Sequence, residues 1–163
     1  MALLYALEQL RHPVLDEIML LVTRFGEETA FLVTALVVFW CVDKRKGYYL
    51  MAVGFAGTLL NQFLKLWFRI PRPWVLDPEF TIVEKARAAA TGYSFPSGHS
   101  TSAVGTFGSL AAATRYSGMR LLCIAVAVLV PVSRMYLGVH TPMDVLVGSG
   151  LALLLVFLLR PML

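Results

Sequence analysis

The sequence predicts an all-α protein, a polytopic transmembrane bundle of five to six helices, the first short or interfacial. Three observations predict it. Of the 163 residues, 58% are hydrophobic and only 15% charged, with a mean hydropathy of +0.73, which is far too apolar for a soluble domain of this size. Uncharged stretches recur between short polar breaks, and basic turns alternate with segments that hold most of the other unusual polar residues. A single membrane-embedded domain over 1–163 is expected. The net charge of +4 is small and spread over short segments, so it speaks for membrane topology and against a nucleic-acid surface.

The first 25 residues lack a basic start, a clean apolar core and a small-residue cleavage site, so they do not read as a cleaved signal peptide. Pro13 to Phe25 carries Asp16, Glu17 and Arg24 and reads as an amphipathic, interfacial or short tilted helix. Five apolar runs follow as candidate spans: Thr29 to Val42, Gly47 to Leu64, Ala88 to Thr114, Leu121 to Ser133 and Val145 to Leu159. Most fall short of the roughly 20 residues that a span needs, so polar helix ends at headgroup level or against a polar cavity are expected. Cys41 and Cys123 lie inside apolar runs without a nearby metal-spaced partner and read as buried thiols.

Positive charge orients the chain, because cytoplasmic loops are enriched in Lys and Arg. The DKRKG turn, Asp43 to Gly47, and the TRYSGMR turn, Thr114 to Arg120, both read as cytoplasmic. Arg69 to Ser97 and Ser133 to Pro142 are thereby left on the outer face, together with nearly every ionisable residue that an apolar chain would not retain without cause.

Three constellations stand out there. In KLWFRIPRP, Lys65 ends a helix, Pro71 and Pro73 stop it, and Arg72 is held on a stiff turn between them. Standing alone, this segment also fits plain snorkelling. In SFPSGHS, Ser94 to Ser100, Gly98 permits close backbone approach, and exposed amides with the Ser97 hydroxyl at a helix start make a seat for an oxyanion, beside His99. An ordinary capped helix with an incidental histidine reads the same way. In SRMYLGVHTPMD, Thr141 caps the final helix, Pro142 suits its first position, and Asp144 falls in the first turn. Asp144 is also four residues beyond His140, within reach of one imidazole nitrogen, which would leave the other with a free lone pair. Arg134 adds a planar fork suited to phosphate, and a turn at Gly138 lets the chain fold back toward it.

Three cations, a backbone and hydroxyl seat, two histidines and one carboxylate are the means for phosphoryl transfer without a metal. Asp77, Glu79 and Glu84 sit in a Pro-containing loop with the spacing of ordinary solvated charge, so no metal or other cofactor is expected.

The chain resembles the type-2 phosphatidic acid phosphatase superfamily, the lipid phosphate phosphatases. Three motifs match in order: Lys65 with Arg72 and Pro73; Pro96, Ser97, Gly98 and His99; and Ser133 and Arg134 with His140 and Asp144. They cover about half of the chain and depart from the family pattern at none of these positions. The resemblance implies that His140 is a nucleophile forming a phosphohistidine, that Asp144 orients it, and that His99 protonates the leaving group and later serves as base toward water. It further implies that Lys65, Arg72, Ser97, Gly98 and Arg134 hold the phosphoryl group.

The implied substrate is a membrane lipid phosphate or diphosphate: undecaprenyl diphosphate, phosphatidylglycerol phosphate or phosphatidate, with the diphosphate slightly ahead. Trp67, Phe68, Trp74 and Tyr93 would flank the pocket at headgroup level, and Trp74 to Tyr93 is the candidate lid. The expected location is the cell membrane, multi-pass, with the active site on the extracytoplasmic face. Transfer to an acceptor other than water is the alternative with the same site. A transporter or scaffold would spread ionisable residues along several helices or show internal repeats, and neither pattern is present.

Overall fold

The computed structural model describes residues 1–163, and helices account for all of its regular structure. In chain order they are α1 (Ala2–Gln9), α2 (Pro13–Thr23), α3 (Glu28–Val37), α4 (Lys44–Phe68), α5 (Pro73–Leu76), α6 (Gly98–Ala113), α7 (Ser117–Tyr136) and α8 (Pro142–Leu158). The small-residue helix α6 is central, packed against α4, α7 and α8, while α2 lies along α7 and α3 along α4. Its many Gly, Ala, Ser and Thr residues let the neighbouring backbones close in. At the α6–α8 crossing, a Cβ on Gly148 would stand 2.7 Å from the Ser97 carbonyl oxygen, so glycine is what brings the starts of these helices together.

The predicted apolar runs become α3 with a π-helical continuation over Val38–Val42, α4, α6, α7 and α8. Three differences are informative. Ala88 to Thr114 is not helical throughout: α6 begins at Gly98, and 88–97 is irregular chain whose groups turn to the site. A short helix, α1, precedes the Pro13 helix, pinned where the Tyr5 hydroxyl donates to Asp77 at 2.8 Å, so Asp77 is not simply a solvated charge. Cys123 is buried, but Cys41 is exposed on the outer surface of the bundle.

That surface carries large apolar side chains such as Leu59, Phe63, Leu66, Trp67, Leu122, Leu146 and Phe157. By length and composition α7 is long and apolar enough to cross a membrane. Pro13–Gly26 with Glu28–Val42 forms a second such stretch, bent by 54°.

Candidate active site

A cavity of about 610 Å³ opens at one end of the bundle, between the start of α3, the last turns of α4, the loop before α6, and the facing ends of α6 and α7. Lys65, Arg72, Gly98, His99, Arg134 and His140 all contribute to its wall. The two remaining predicted residues, Ser97 and Asp144, are buried outside the lining. Lys65 and His140, 75 residues apart in sequence, thus line one cavity because α4, α6 and α7 each end, or begin, at the same level.

His140 is placed by the turn that joins α7 to α8. Gly138 takes φ +81°, a left-handed conformation that other residues rarely adopt, and the Val139 amide donates back to the Arg134 carbonyl at 3.2 Å. The start of α8 is a capping box. The Asp144 amide donates to Thr141 Oγ1 at 3.3 Å, and the Thr141 amide donates to Asp144 Oδ2 at 2.8 Å. That lock holds the carboxylate with Oδ2 3.5 Å from His140 Nδ1, a longer separation than an ordinary hydrogen bond.

Arg72 fixes the tautomer of His140. Its Nη1 lies 2.9 Å from His140 Nε2, and a guanidinium has no acceptor, so Nε2 accepts and the ring proton resides on Nδ1. Arg72 is itself held by carbonyls: Nη1 donates to Val139, Nε to Gly92 and Nη2 to Thr91, at 2.9, 3.1 and 2.7 Å. Its guanidinium also lies over the Trp74 ring, 5.9 Å from the centroid. Burial lowers Arg72 to about 10, which leaves it charged at neutral pH. Burial, reinforced by Arg72 and Arg134, also holds the His140 imidazole well below its ordinary 6.5, against the opposing pull of Asp144. A neutral ring on the cavity wall, its Nε2 lone pair held by Arg72, is the result.

Arg134 is fully buried, and only one of its nitrogens has a partner: Nη1 donates to Thr23 Oγ1 on α2 at 2.9 Å, while Nε and Nη2 have none. His99 Nε2 is likewise buried without a partner. Unpaired buried polar groups are costly, and the free Arg134 donors, on a residue that lines the cavity, mark a place where an anion completes the bonding. Lys65 Nζ donates to the Tyr93 carbonyl at 2.6 Å and keeps further N–H donors. The Ser97 hydroxyl is the N-cap of α6, accepting from the Ser100 amide at 3.3 Å and the Ser100 hydroxyl at 2.8 Å, which accounts for its position behind the wall. No three His, Cys, Asp or Glu side chains come together to hold a metal ion.

Sequence reasoning missed three contributors. Ser94 lies between His140 and Asp144, and its place at the front of SFPSGHS was its only signal. Asn61 sits one turn before Lys65 on the same face of α4 and donates to Thr101 Oγ1 at 3.1 Å, a spacing that was legible. Thr23, the partner of Arg134, had none, because its role depends on how α2 packs against α7. The flanking aromatics are unequal: Trp67 and Phe68 are exposed on the apolar surface and Tyr93 lines the cavity, whereas Trp74 is half-buried between Arg72 and Arg87.

A helical bundle that buries cations and histidines around one cavity at its end belongs to the class of phosphate-handling membrane proteins. More specifically, the chain belongs to the PAP2 superfamily, whose model matches residues 45–163. It is similar to phosphatidylglycerophosphatase B of Bacillus subtilis (strain 168), 32% identical over 165 aligned positions that cover 93% of this chain and 76% of that protein. It is also similar to the undecaprenyl-diphosphatase BcrC of the same organism, 31% identical over 147 positions, covering 89% and 73%. Among solved structures, a transmembrane PAP2 type phosphatidylglycerolphosphate phosphatase from Bacillus subtilis superposes with a TM-score of 0.80 at 29% identity, over 98% of this chain and 82% of that one. Aquifex aeolicus LpxE shares the fold, with a TM-score of 0.86 at 24% identity, over 98% and 93%.

Proposed function

We propose that this protein is a membrane lipid phosphatase that hydrolyses a lipid phosphate or diphosphate through a phosphohistidine on His140. The observation that carries the reading is the neutral His140 ring, its tautomer fixed by Arg72, on the wall of a cavity that is also lined by Arg134 with its unpartnered donors.

In the first half of the reaction, Lys65, Arg72 and Arg134 neutralise the phosphoryl oxygens and the Gly98 amide faces them at the start of α6. His140 Nε2 attacks phosphorus, the bond to the leaving oxygen breaks, and that oxygen takes a proton from His99. Substrate binding releases the Nε2 lone pair, because an anion draws the Arg72 guanidinium onto its own oxygens. In the second half, water attacks phosphorus, the P–N bond breaks, and His99 accepts the proton. Ser97 supports the seat from behind as the cap of α6. Asp144 stabilises the positive charge that grows on the phosphorylated ring.

The named relatives act on phosphatidylglycerophosphate and undecaprenyl diphosphate, and both substrate types place a phosphate at headgroup level beside apolar tails. An apolar outer surface leading to a cationic cavity suits that class, with the site on the extracytoplasmic face of a multi-pass bundle. Purified protein in detergent, given a panel of lipid mono- and diphosphates with EDTA present, is expected to release phosphate, and His140→Ala is not. Activity that survives the substitution, or that disappears with EDTA, contradicts the reading. Supplying a sugar or lipid alcohol as competing acceptor separates hydrolysis from phosphotransfer.

A further inference from the structure

Asp144 Oδ2 stands 3.5 Å from His140 Nδ1, near the ring but too far to be held by it. A third group anchors the carboxylate there. The Ser94 side chain is completely buried, its Oγ lying 2.5 Å from Asp144 Oδ2 and 3.5 Å from His140 Nδ1. Because the carboxylate only accepts, the Ser94 hydroxyl donates its proton to Oδ2. The Nδ1–H that the Arg72 contact dictates has Asp144 Oδ2 and Ser94 Oγ at the same distance, 3.5 Å.

The chain around Ser94 is built to keep it there. Its amide donates to the Ile70 carbonyl at 2.8 Å. The three preceding residues are tied to the cations of the same site, Thr91 and Gly92 through their carbonyls to Arg72 and Tyr93 through its carbonyl to Lys65. Thr91 to Ser94 is therefore a four-residue strap in which every member bonds to the side chain of a residue predicted for the site. The family resemblance assigns nothing to these four positions.

We propose that Ser94 is a positioning residue for the reaction, its hydroxyl holding the Asp144 carboxylate beside the His140 ring. When the phosphoryl group is bonded to Nε2, the ring is positively charged and retains its proton on Nδ1. The anchored carboxylate then faces a charged ring and stabilises it. No bond to Ser94 forms or breaks. The proposal rests on the reading of His140 as nucleophile.

The test is a double-mutant cycle on the purified protein, read as phosphate release from a lipid phosphate. Ser94→Ala is expected to lower kcat about tenfold, with KM within about twofold, the kinetic scale of one lost hydrogen bond in the transition state. In an Asp144→Asn background the same substitution is expected to change kcat by less than about twofold, because the hydroxyl acts through the carboxylate. If Ser94→Ala does not fold, Ser94→Thr and Ser94→Cys carry the comparison. The threonine keeps a hydroxyl and is expected to exceed the cysteine, which offers only a weak donor. A kcat unchanged in Ser94→Ala, a loss confined to KM, an undiminished loss in the Asp144→Asn background, or a cysteine variant equal to wild type overturns the proposal. An inactive wild type overturns the proposed function with it. An active wild type that is silenced by His140→Ala and indifferent to Ser94→Ala overturns this inference alone.

Discussion

The two ends of the bundle carry the same residue types in opposite conditions. At the end opposite the cavity, Lys44, Arg45, Arg115, Arg120 and Arg160 are all exposed. At the cavity end, one length of α4 away, or roughly 37 Å for 25 residues, Arg72, Arg134, His140 and Asp144 retain at most 6% of their surface. Exposed cations cost the fold little, whereas each buried one demands partners. The cavity end meets that demand only in part: Arg72 is fully engaged with carbonyls and His140, while Arg134 and His99 keep free nitrogens. Incomplete satisfaction of buried charge, more than charge itself, distinguishes a site from a topology signal.

The comparison breaks most readily at His140. Replacing it with alanine is expected to reduce kcat by about a thousandfold or more, the scale of losing a nucleophile, measured as lipid phosphate hydrolysis. Next is Arg134→Leu, which removes the unpaired donors while keeping much of the volume. A fall in kcat/KM of about 100- to 1,000-fold is expected, as for loss of a preorganised donor.

Gly148→Ala probes the packing that holds the site together, since its Cβ would meet the Ser97 carbonyl at 2.7 Å. An overpacking cost of about 1–3 kcal/mol is expected in denaturant unfolding, with a lowered Tm. Acid is a further lever. The folded His140 is held below 6.5 and the unfolded one is not, so below about pH 6.5 the unfolded chain takes up a proton that the folded chain refuses, and stability falls as pH falls. His140→Asn should flatten that part of the stability profile. At the smallest end of the scale, replacing Lys44, Arg45 and Lys46 together by Gln is expected to change kcat/KM by less than about twofold, because their charges lie a whole helix away from the cavity.

Much of this end of the molecule was legible in the sequence. Proline, glycine and cap residues announce where helices stop, so the turns at Pro71 to Pro73, Ser97 and Thr141 could be placed, and with them Lys65, Arg72, His99 and His140. The spacing of His140 and Asp144 gave their proximity but not what holds the carboxylate, because its serine partner lies 50 residues before it. Hydropathy misjudged 88–97: Ala88, Ala89, Ala90 and Tyr93 look like the front of a span, yet the segment is not helical, and the carbonyls of Thr91, Gly92 and Tyr93 serve Arg72 and Lys65. The misreading of Cys41 has a related cause. An apolar run says that a residue avoids water, and a surface facing lipid meets that condition as well as an interior does.

The central claim is that His140 Nε2 takes the phosphoryl group. Its most direct test is to mix the purified protein with a lipid carrying a radiolabelled phosphate, quench in alkali within the first turnover, and map the labelled peptide. A base-stable, acid-labile label on the peptide containing His140, absent in His140→Ala, is the predicted result. No trapped label under single-turnover conditions, a label on another residue, or a label that persists in His140→Ala would contradict it.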